Sequence, residues 1–273
     1  MIFKTVASSE TTVFAQISQY VPISASNAKR LIKDKEVKLN GQRISADLSI
    51  KAGDELEIFV PKTFLVSEPQ IIYKDQNILI ADKPIYTEVE TALTAYFSGE
   101  GEFIKPMHRL DRNTVGLVVF ALNQATYDEL FVAFKDRSIE KRYEALVLGR
   151  PKSGIYKAYL YKDSSKSICS ISQAHKKDYK EIVTKICSVE PRGELSAVDI
   201  ELITGRTHQI RAHMAYLGTP VLGDGKYGDG EVNKRYKAKY QKLCAKKIVF
   251  HGLRGKLGYL NEKVFQSCQN VID

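Results

Sequence analysis

The chain has 273 residues, long for one domain and short for three, and its apolar share is ordinary for a protein that buries a real core. Its 41 lysines and arginines against 32 acidic residues, spread over many segments, admit a polyanionic partner without requiring one. The four cysteines, Cys169, Cys187, Cys244 and Cys268, form no C-x-x-C pair, which argues against a zinc ribbon or a thioredoxin-like site and fits a reducing cytoplasm.

The N-terminus, MIFKTVASSETTVF, lacks the basic start and apolar stretch of a signal peptide, and the longest apolar run, Gly116 to Leu122, is too short to span a bilayer. A soluble, cytoplasmic protein with no membrane partner is expected. Ala25 to Lys33 predicts an amphipathic helix, with Ala28, Leu31 and Ile32 on one face, Lys29, Arg30 and Lys33 on the other, and Ser24 or Ser26 as N-cap. Val37 and Leu39 then alternate with lysines up to Asn40-Gly41, a pair that favours a tight hairpin, and Leu56, Ile58 and Val60 alternate after Gly53-Asp54. Residues 1–60 read as a small α+β unit, Pro61 to Pro69 as a linker, and residues 70–273 as a second domain.

That domain opens with a predicted hairpin, IIY and ILIAD around Lys74-Asp75-Gln76-Asn77, followed by a strand over Thr114 to Leu122. Asn123 caps a helix that aligns Tyr127, Leu130, Phe131 and Phe134 on one face. Ile139 to Leu148 and the run Val198, Ile200, Leu202 read as strands, and Thr207 to Leu217 as a helix with Ile210, Met214 and Leu217 inward, ended by Gly218 and Pro220. Strands and helices mix without regular βαβ alternation. The expected class is α+β: a mixed, largely antiparallel sheet flanked by helices, with the small α+β unit in front.

Two polar constellations invite chemistry. His108-Arg109-Leu110-Asp111-Arg112-Asn113-Thr114 lies at the mouth of the apolar strand Gly116 to Phe120; Asp111 could be paired locally with Arg109 or Arg112, or be a nucleophile or base. Gly205-Arg206-Thr207-His208-Gln209-Ile210-Arg211-Ala212-His213 carries a strand into a helix, on which His208 and Arg211 would share a face with Ala212 and Ala215; a capped, solvent-facing helix start is the plainer alternative. His208 and His213 lack the spacing of a zinc-binding helix, so no metal is expected. Gly223-Asp224-Gly225-Lys226-Tyr227-Gly228 matches a dinucleotide fingerprint letter for letter, but no βαβ unit surrounds it and Val232 to Asn261 contains no acid to hold a ribose, so it reads as a glycine-rich turn. Asn233 to Lys247 carries seven basic residues, two tyrosines and no acid, which suits phosphate contact or a solvated helical face.

HRLDRNTVGLVVFALN, KRYEALVLGRP and ITGRTHQIRAHMAYLGTPVLGDGKYG, in this order and spacing, resemble the RluA-type family of pseudouridine synthases, a likeness that runs from about Ile71 to about Leu260. AKRLIKDKEVKLNG and IKAGDELEIFV, within residues 12–60, are similar to the αL-type RNA-binding module, with Thr12-Val13-Phe14 where the module opens on arginine-leucine-aspartate. The resemblance implies a uridine-to-pseudouridine isomerase that needs no cofactor. Its essential aspartate maps onto Asp111, its basic partner onto Arg211 and its active-site tyrosine onto Tyr143, with Ile210 lining the other side of the base. Arg109 maps onto a residue that enters the space vacated by a flipped base; His108, Arg206 and His208, from the same motifs, complete the expected substrate-binding set. The chain departs from the family at Val115, where serine is common, and at Ile85-Tyr86-Thr87-Glu88, where a glycine and a histidine-containing stretch usually follow Lys83-Pro84.

The expected substrate is large-subunit (23S) ribosomal RNA or its precursor, acted on by a monomer. Transfer RNA is the rival substrate, and a noncatalytic RNA-binding or ribosome-assembly protein the rival class. A glycosidase or nucleoside hydrolase would need a second carboxylate to activate water, and none stands out beside Asp111 in these motifs.

Overall fold

Alternating apolar residues at Val37, Leu39, Leu56 and Ile58 give the N-terminal region a single buried sheet face, onto which two short helices fold. The computed structural model describes residues 1–65, 67–98 and 103–272. Within residues 1–60 lie β1 (Ile2–Val6), β2 (Thr11–Thr12), α1 (Val13–Tyr20), α2 (Ala25–Lys33), β3 (Val37–Leu39), β4 (Gln42–Ile44), β5 (Ser49–Ile50) and β6 (Glu55–Phe59). The sheet runs β1-β6-β3-β4, all antiparallel. Ser24 caps α2 by accepting from Asn27 N at 3.3 Å, and Thr12 caps α1. At the tip of the β3–β4 hairpin Asn40 and Gly41 both take positive φ, 48° and 81°, as a two-residue primed turn demands.

The second region carries β7 (Gln70–Lys74), β8 (Ile78–Lys83), a single π-helical turn at Val89–Leu93 leading into α3 (Thr94–Phe97), β9 (Lys105–Pro106), β10 (Val115–Ala121) and α4 (Gln124–Lys135). It continues with β11 (Ile139–Leu148), β12 (Gly154–Asp163), β13 (Ile168–Ser172), β14 (Lys180–Arg192), β15 (Leu195–Leu202), α5 (Gln209–Tyr216), α6 (Gly230–Arg235), β16 (Leu243–Phe250) and β17 (Val264–Gln266). One mixed sheet runs β13-β12-β14-β15-β11-β16-β10-β8-β7, with β17 beside β16 and β9 beside β10. Only β10 and β16 pair in parallel among the described strands. Their contact is tight: a Cβ at Gly116, whose φ is 107°, would lie 2.4 Å from the Ala245 carbonyl oxygen, so only glycine fits there. All seven residues of β10 are buried because helices and turns cover both faces of this central strand.

The two regions touch. Glu88 accepts a hydrogen bond from Ala25 N at the start of α2 (3.0 Å), and α1 packs against α3. No helix among the described residues is long and apolar enough to cross a membrane.

Three sequence expectations need correction. The helix expected from Thr207 begins at Gln209, because His208 adopts left-handed backbone (φ 54°) and Gln209 turns its side chain back to accept from Arg206 N and Thr204 Oγ1. His208 is therefore in the turn before α5, and Arg211, on the helix, is buried rather than solvent-facing. On α4 the buried positions are Thr126, Leu130 and Ala133; Phe131 is exposed and turned toward the cleft described below. Asn233 to Lys247 is not one helical face, since α6 stops at Arg235 and the stretch ends inside β16.

Candidate active site

A cleft of about 410 Å³ opens where the loop before β10, the first turn of α5 and the middle of β11 converge. Asp111 stands in that loop, anchored on one side by buried Leu110 and on the other by Thr114, whose N–H donates to the Asp111 carbonyl and whose hydroxyl accepts from Gln241. Lys83, at the end of β8, secures the same loop from beneath. Its wholly buried amine donates to the carbonyls of Pro84, Thr87 and Arg112 at 3.0–3.2 Å. Burial pulls the Lys83 pKa down to about 7, against the charge of Asp111, which favours the ammonium.

Arg211 reaches Asp111 across 100 positions of sequence. Its Nη1 donates to Asp111 Oδ2 at 2.7 Å, while Nε and Nη2 clasp both oxygens of Asp224 at 2.6 and 2.9 Å. Asp224 is wholly buried and also accepts from the backbone N–H groups of Lys226 and Tyr227. Burial would raise its pKa, but the hydrogen bonds and charge of Arg211 outweigh burial and hold it below the usual carboxylate range. The guanidinium pKa is raised, since two carboxylates overcome its own desolvation. A buried cation fixed by one carboxylate thus presents its remaining edge to another. Local pairing of Asp111 with Arg109 or Arg112 does not occur: Arg109 pairs with Glu90 at 3.0 Å, and Arg112 Nε donates to the Tyr86 carbonyl at 3.4 Å.

Asp111 Oδ1 accepts no hydrogen bond among the described residues and lies 3.9 Å from His208 Nε2. The Tyr227 hydroxyl accepts from Cys169 N at 2.7 Å and lies 2.8 Å from His208 Nδ1. With the hydroxyl donating to Nδ1, a neutral ring carries its proton on Nε2, facing Asp111. Burial lowers the His208 pKa, opposed by the Asp111 charge.

Tyr143 forms one wall. A bulge in the β11–β16 ladder falls between Arg142 and Tyr143, which re-aims the strand where it meets the cleft. The Tyr143 ring is buried, its hydroxyl has no hydrogen bond among the described residues, and burial together with the Asp111 charge raises its pKa, so it stays protonated. Ile210, buried in the first turn of α5, and Leu243 supply apolar surface beside it. Arg206 is exposed at the rim. His108 lies deeper: its Nε2 accepts from Val119 N at 3.2 Å and its ring stacks on Phe134, a placement that ties it to β10.

The structure therefore gathers Asp111, Tyr143, Arg211, Ile210, Arg206 and His208 in one cleft, with Arg109 on its outer edge and His108 as part of its lining. Sequence reasoning missed Asp224 and Tyr227, which orient Arg211 and His208; both sit in the stretch read only as a glycine-rich turn. Among the described residues no three His, Cys, Asp or Glu side chains group as metal ligands. An open carboxylate, a fixed guanidinium and a slot walled by a tyrosine and aliphatic side chains can take a planar base and engage its sugar.

Known proteins resemble the chain across this region. Residues 70–216 match the family described as RNA pseudouridylate synthase. The chain is 30% identical over 260 residues to a ribosomal large subunit pseudouridine synthase C of Vibrio parahaemolyticus, covering 86% of this chain and 80% of the relative. It is 31% identical over 229 residues to an uncharacterised RNA pseudouridine synthase of Bacillus subtilis, covering 75% of each. The solved structure of human RNA pseudouridylate synthase domain containing 1 superposes with a TM-score of 0.59 at 23% identity, over 74% of this chain and 83% of that one, and shares the fold. With a family match across β7 to α5 and relatives aligned over most of its length, the chain belongs to the RNA pseudouridylate synthase family.

Proposed function

We propose that this pseudouridine synthase acts on a uridine of large-subunit ribosomal RNA, with Asp111 as its catalytic carboxylate. The observation that carries the reading is the Asp111–Arg211–Asp224 chain, in which one oxygen of Asp111 is held and the other is left for substrate. The relatives named for the large ribosomal subunit, in Vibrio and in Rickettsia bellii, support the choice of RNA.

The reaction breaks the bond from N1 of the base to C1′ of the ribose, turns the base, and joins C5 to C1′; C5 loses a proton, N1 gains one, and nothing is oxidised. Asp111 Oδ1 engages the nucleoside, and Arg211 balances the carboxylate charge from a position that needs no rearrangement. Tyr143 packs on the base opposite Ile210, and its protonated hydroxyl assists proton transfer. A base within a stack cannot reach this slot, so it is flipped out at a cost of a few kcal/mol. Arg109 then leaves Glu90 and occupies the vacated space. His108, Arg206 and His208 complete the substrate-binding set. Residues 1–60 serve as the RNA-binding domain, residues 61–69 as linker and residues 70–273 as catalytic domain, in a cytoplasmic monomer.

The test is carbodiimide labelling and reverse transcription of ribosomal and transfer RNA from cells with the protein, without it, and with Asp111→Asn. Stops in large-subunit RNA that vanish in both the deletion and the Asn variant are expected. Stops lost from transfer RNA instead would move the substrate, and survival of every stop would defeat the reading.

A further inference from the structure

Beside the Asp111 loop lies a cluster of rings and cations that the isomerisation leaves unused. Tyr86 follows β8 in left-handed backbone (φ 61°), a conformation that a bulky side chain seldom keeps unless its surroundings impose it. Its side chain is not tucked away: the residue is 48% exposed. The ring stands edge-on to Tyr240, centroids 6.1 Å apart at 79°, and the Arg112 guanidinium lies 5.8 Å from the centroid of Tyr86. Arg112 directly follows Asp111 in sequence and is exposed.

The backbone beneath is fixed. The Lys83 amine joins the carbonyls of Pro84 and Thr87, on either side of Tyr86, to the carbonyl of Arg112. Tyr86 is thereby held in register with the catalytic loop, although it belongs to the segment that departs from the family pattern. Tyr240 sits in a strongly basic stretch, with Lys237, Lys239 and Lys242 close in sequence and no acid from Val232 to Asn261. An exposed ring, a guanidinium over it and lysines nearby match the two recurrent features of an unpaired RNA strand, a base face and a phosphate charge.

We propose that Tyr86, with Arg112 and Tyr240, is a stacking platform for an unpaired nucleotide that flanks the target uridine, and that it contributes to the choice of RNA site. The proposal rests on the RNA-modifying reading but not on which RNA is the substrate.

The chain contains no tryptophan, so Tyr86→Trp introduces a single reporter at the platform. The full-length variant is titrated with a large-subunit ribosomal RNA transcript, following indole emission alongside filter retention of the RNA. Emission should quench in step with binding, as stacking requires. Tyr86→Gly removes the ring while suiting the positive φ, so it should melt no lower than wild type and bind the transcript about tenfold more weakly; Tyr86→Phe should bind within about twofold of wild type. The single-turnover rate of Tyr86→Gly at saturating RNA should recover far more than its affinity, a split that separates a platform from damage to the Asp111 loop. Unchanged emission while RNA is bound, or equal affinity of Tyr86→Gly and wild type, would overturn the platform. A transcript that binds and quenches but gains no pseudouridine would count against the proposed substrate alone. Wild type that binds neither this transcript nor transfer RNA would count against both.

Discussion

Arg211 and Arg109 border one cleft and are held in opposite ways. Arg211 is buried and makes three hydrogen bonds to two carboxylates, one of which is itself buried and braced by backbone N–H groups. Arg109 is largely exposed and touches a single, equally exposed carboxylate, Glu90. Under the proposed mechanism the difference follows from what each charge has to do. A charge that must be in place before the RNA arrives has to be kept out of water, and a buried guanidinium is tolerable only if its donors are matched. A charge that must move cannot be bound so tightly, and a solvent-screened pair is worth less than about 1 kcal/mol, which thermal motion breaks readily.

The largest effect should come from breaking the buried side. Arg211→Ala strands Asp224 in the core without its cation, which should cost about 3–5 kcal/mol of stability and lower the single-turnover rate about a thousandfold or more. Denaturant unfolding and tritium release from uridine-labelled RNA, measured where the variant remains folded, check both. Arg211→Lys sharpens the test, since an ammonium keeps the charge but cannot clasp Asp224 with two nitrogens and reach Asp111 with a third. It should recover some of the stability and little of the rate. Wild-type turnover in Arg211→Ala would remove Arg211 from the chemistry, and in Arg211→Lys would show that its charge suffices without the clasp.

How much of this was legible in the sequence depends on how far each partner lies along the chain. The α2 helix and the β3–β4 hairpin follow from local patterns, a serine cap and an Asn-Gly pair, and both are found where the spacing puts them. Helix α1 has a cap at Thr12 but is not read from the sequence. Val13 and Ile17 are β-branched and poor helix formers, and what holds the helix is burial of those same side chains against the N-terminal sheet. Asp111 and Arg211 stand out in their own motifs and are paired through the resemblance, but Asp224 is not. Its acceptance of the N–H groups two and three residues onward is the local signature of an aspartate turn, and that much reads from Asp-Gly-Lys-Tyr. Its clasp on Arg211 is tertiary. Gly223 hints at it only afterwards: with φ 78°, a Cβ there would lie 2.0 Å from the Tyr240 carbonyl oxygen, so the turn must pack tightly on the segment before β16.

An intermediate effect should appear with pH, again on the buried side. His213, on the buried face of α5, and His108, at the start of the Asp111 loop, are kept neutral by burial, with pKa values lowered to about 4 and about 3. Above pH 6.5 both rings are neutral folded or unfolded and contribute nothing to pH dependence. As pH falls below 6.5 the unfolded chain takes up protons that the folded chain refuses, so stability is lost at up to about 1.4 kcal/mol per pH unit for each ring. Denaturant midpoints at pH 7 and pH 5 should differ accordingly, in a window above the range where carboxylates titrate. His213→Gln should flatten the slope, leaving the share carried by His108 and His208, whose pKa values burial also lowers; an unaltered slope would mean that His213 is not a source.

The smallest effect belongs to the exposed side and tests whether the loose pair is loose for a reason. Glu90→Gln leaves Arg109 without its carboxylate and removes one negative charge from the cleft edge, at a site where neither group is buried. Stability should change by less than about 0.5 kcal/mol. RNA association should quicken about two- to threefold at low ionic strength, with the gain fading as salt screens both the pair and the phosphates. Stopped-flow association over a salt series measures this directly. If Glu90 merely decorates the surface, the rates will coincide at every ionic strength. If it instead parks Arg109 until RNA arrives, the variants diverge most where the ion pair is strongest, and the contrast with Arg211 becomes one between a charge that waits in place and a charge that waits to move.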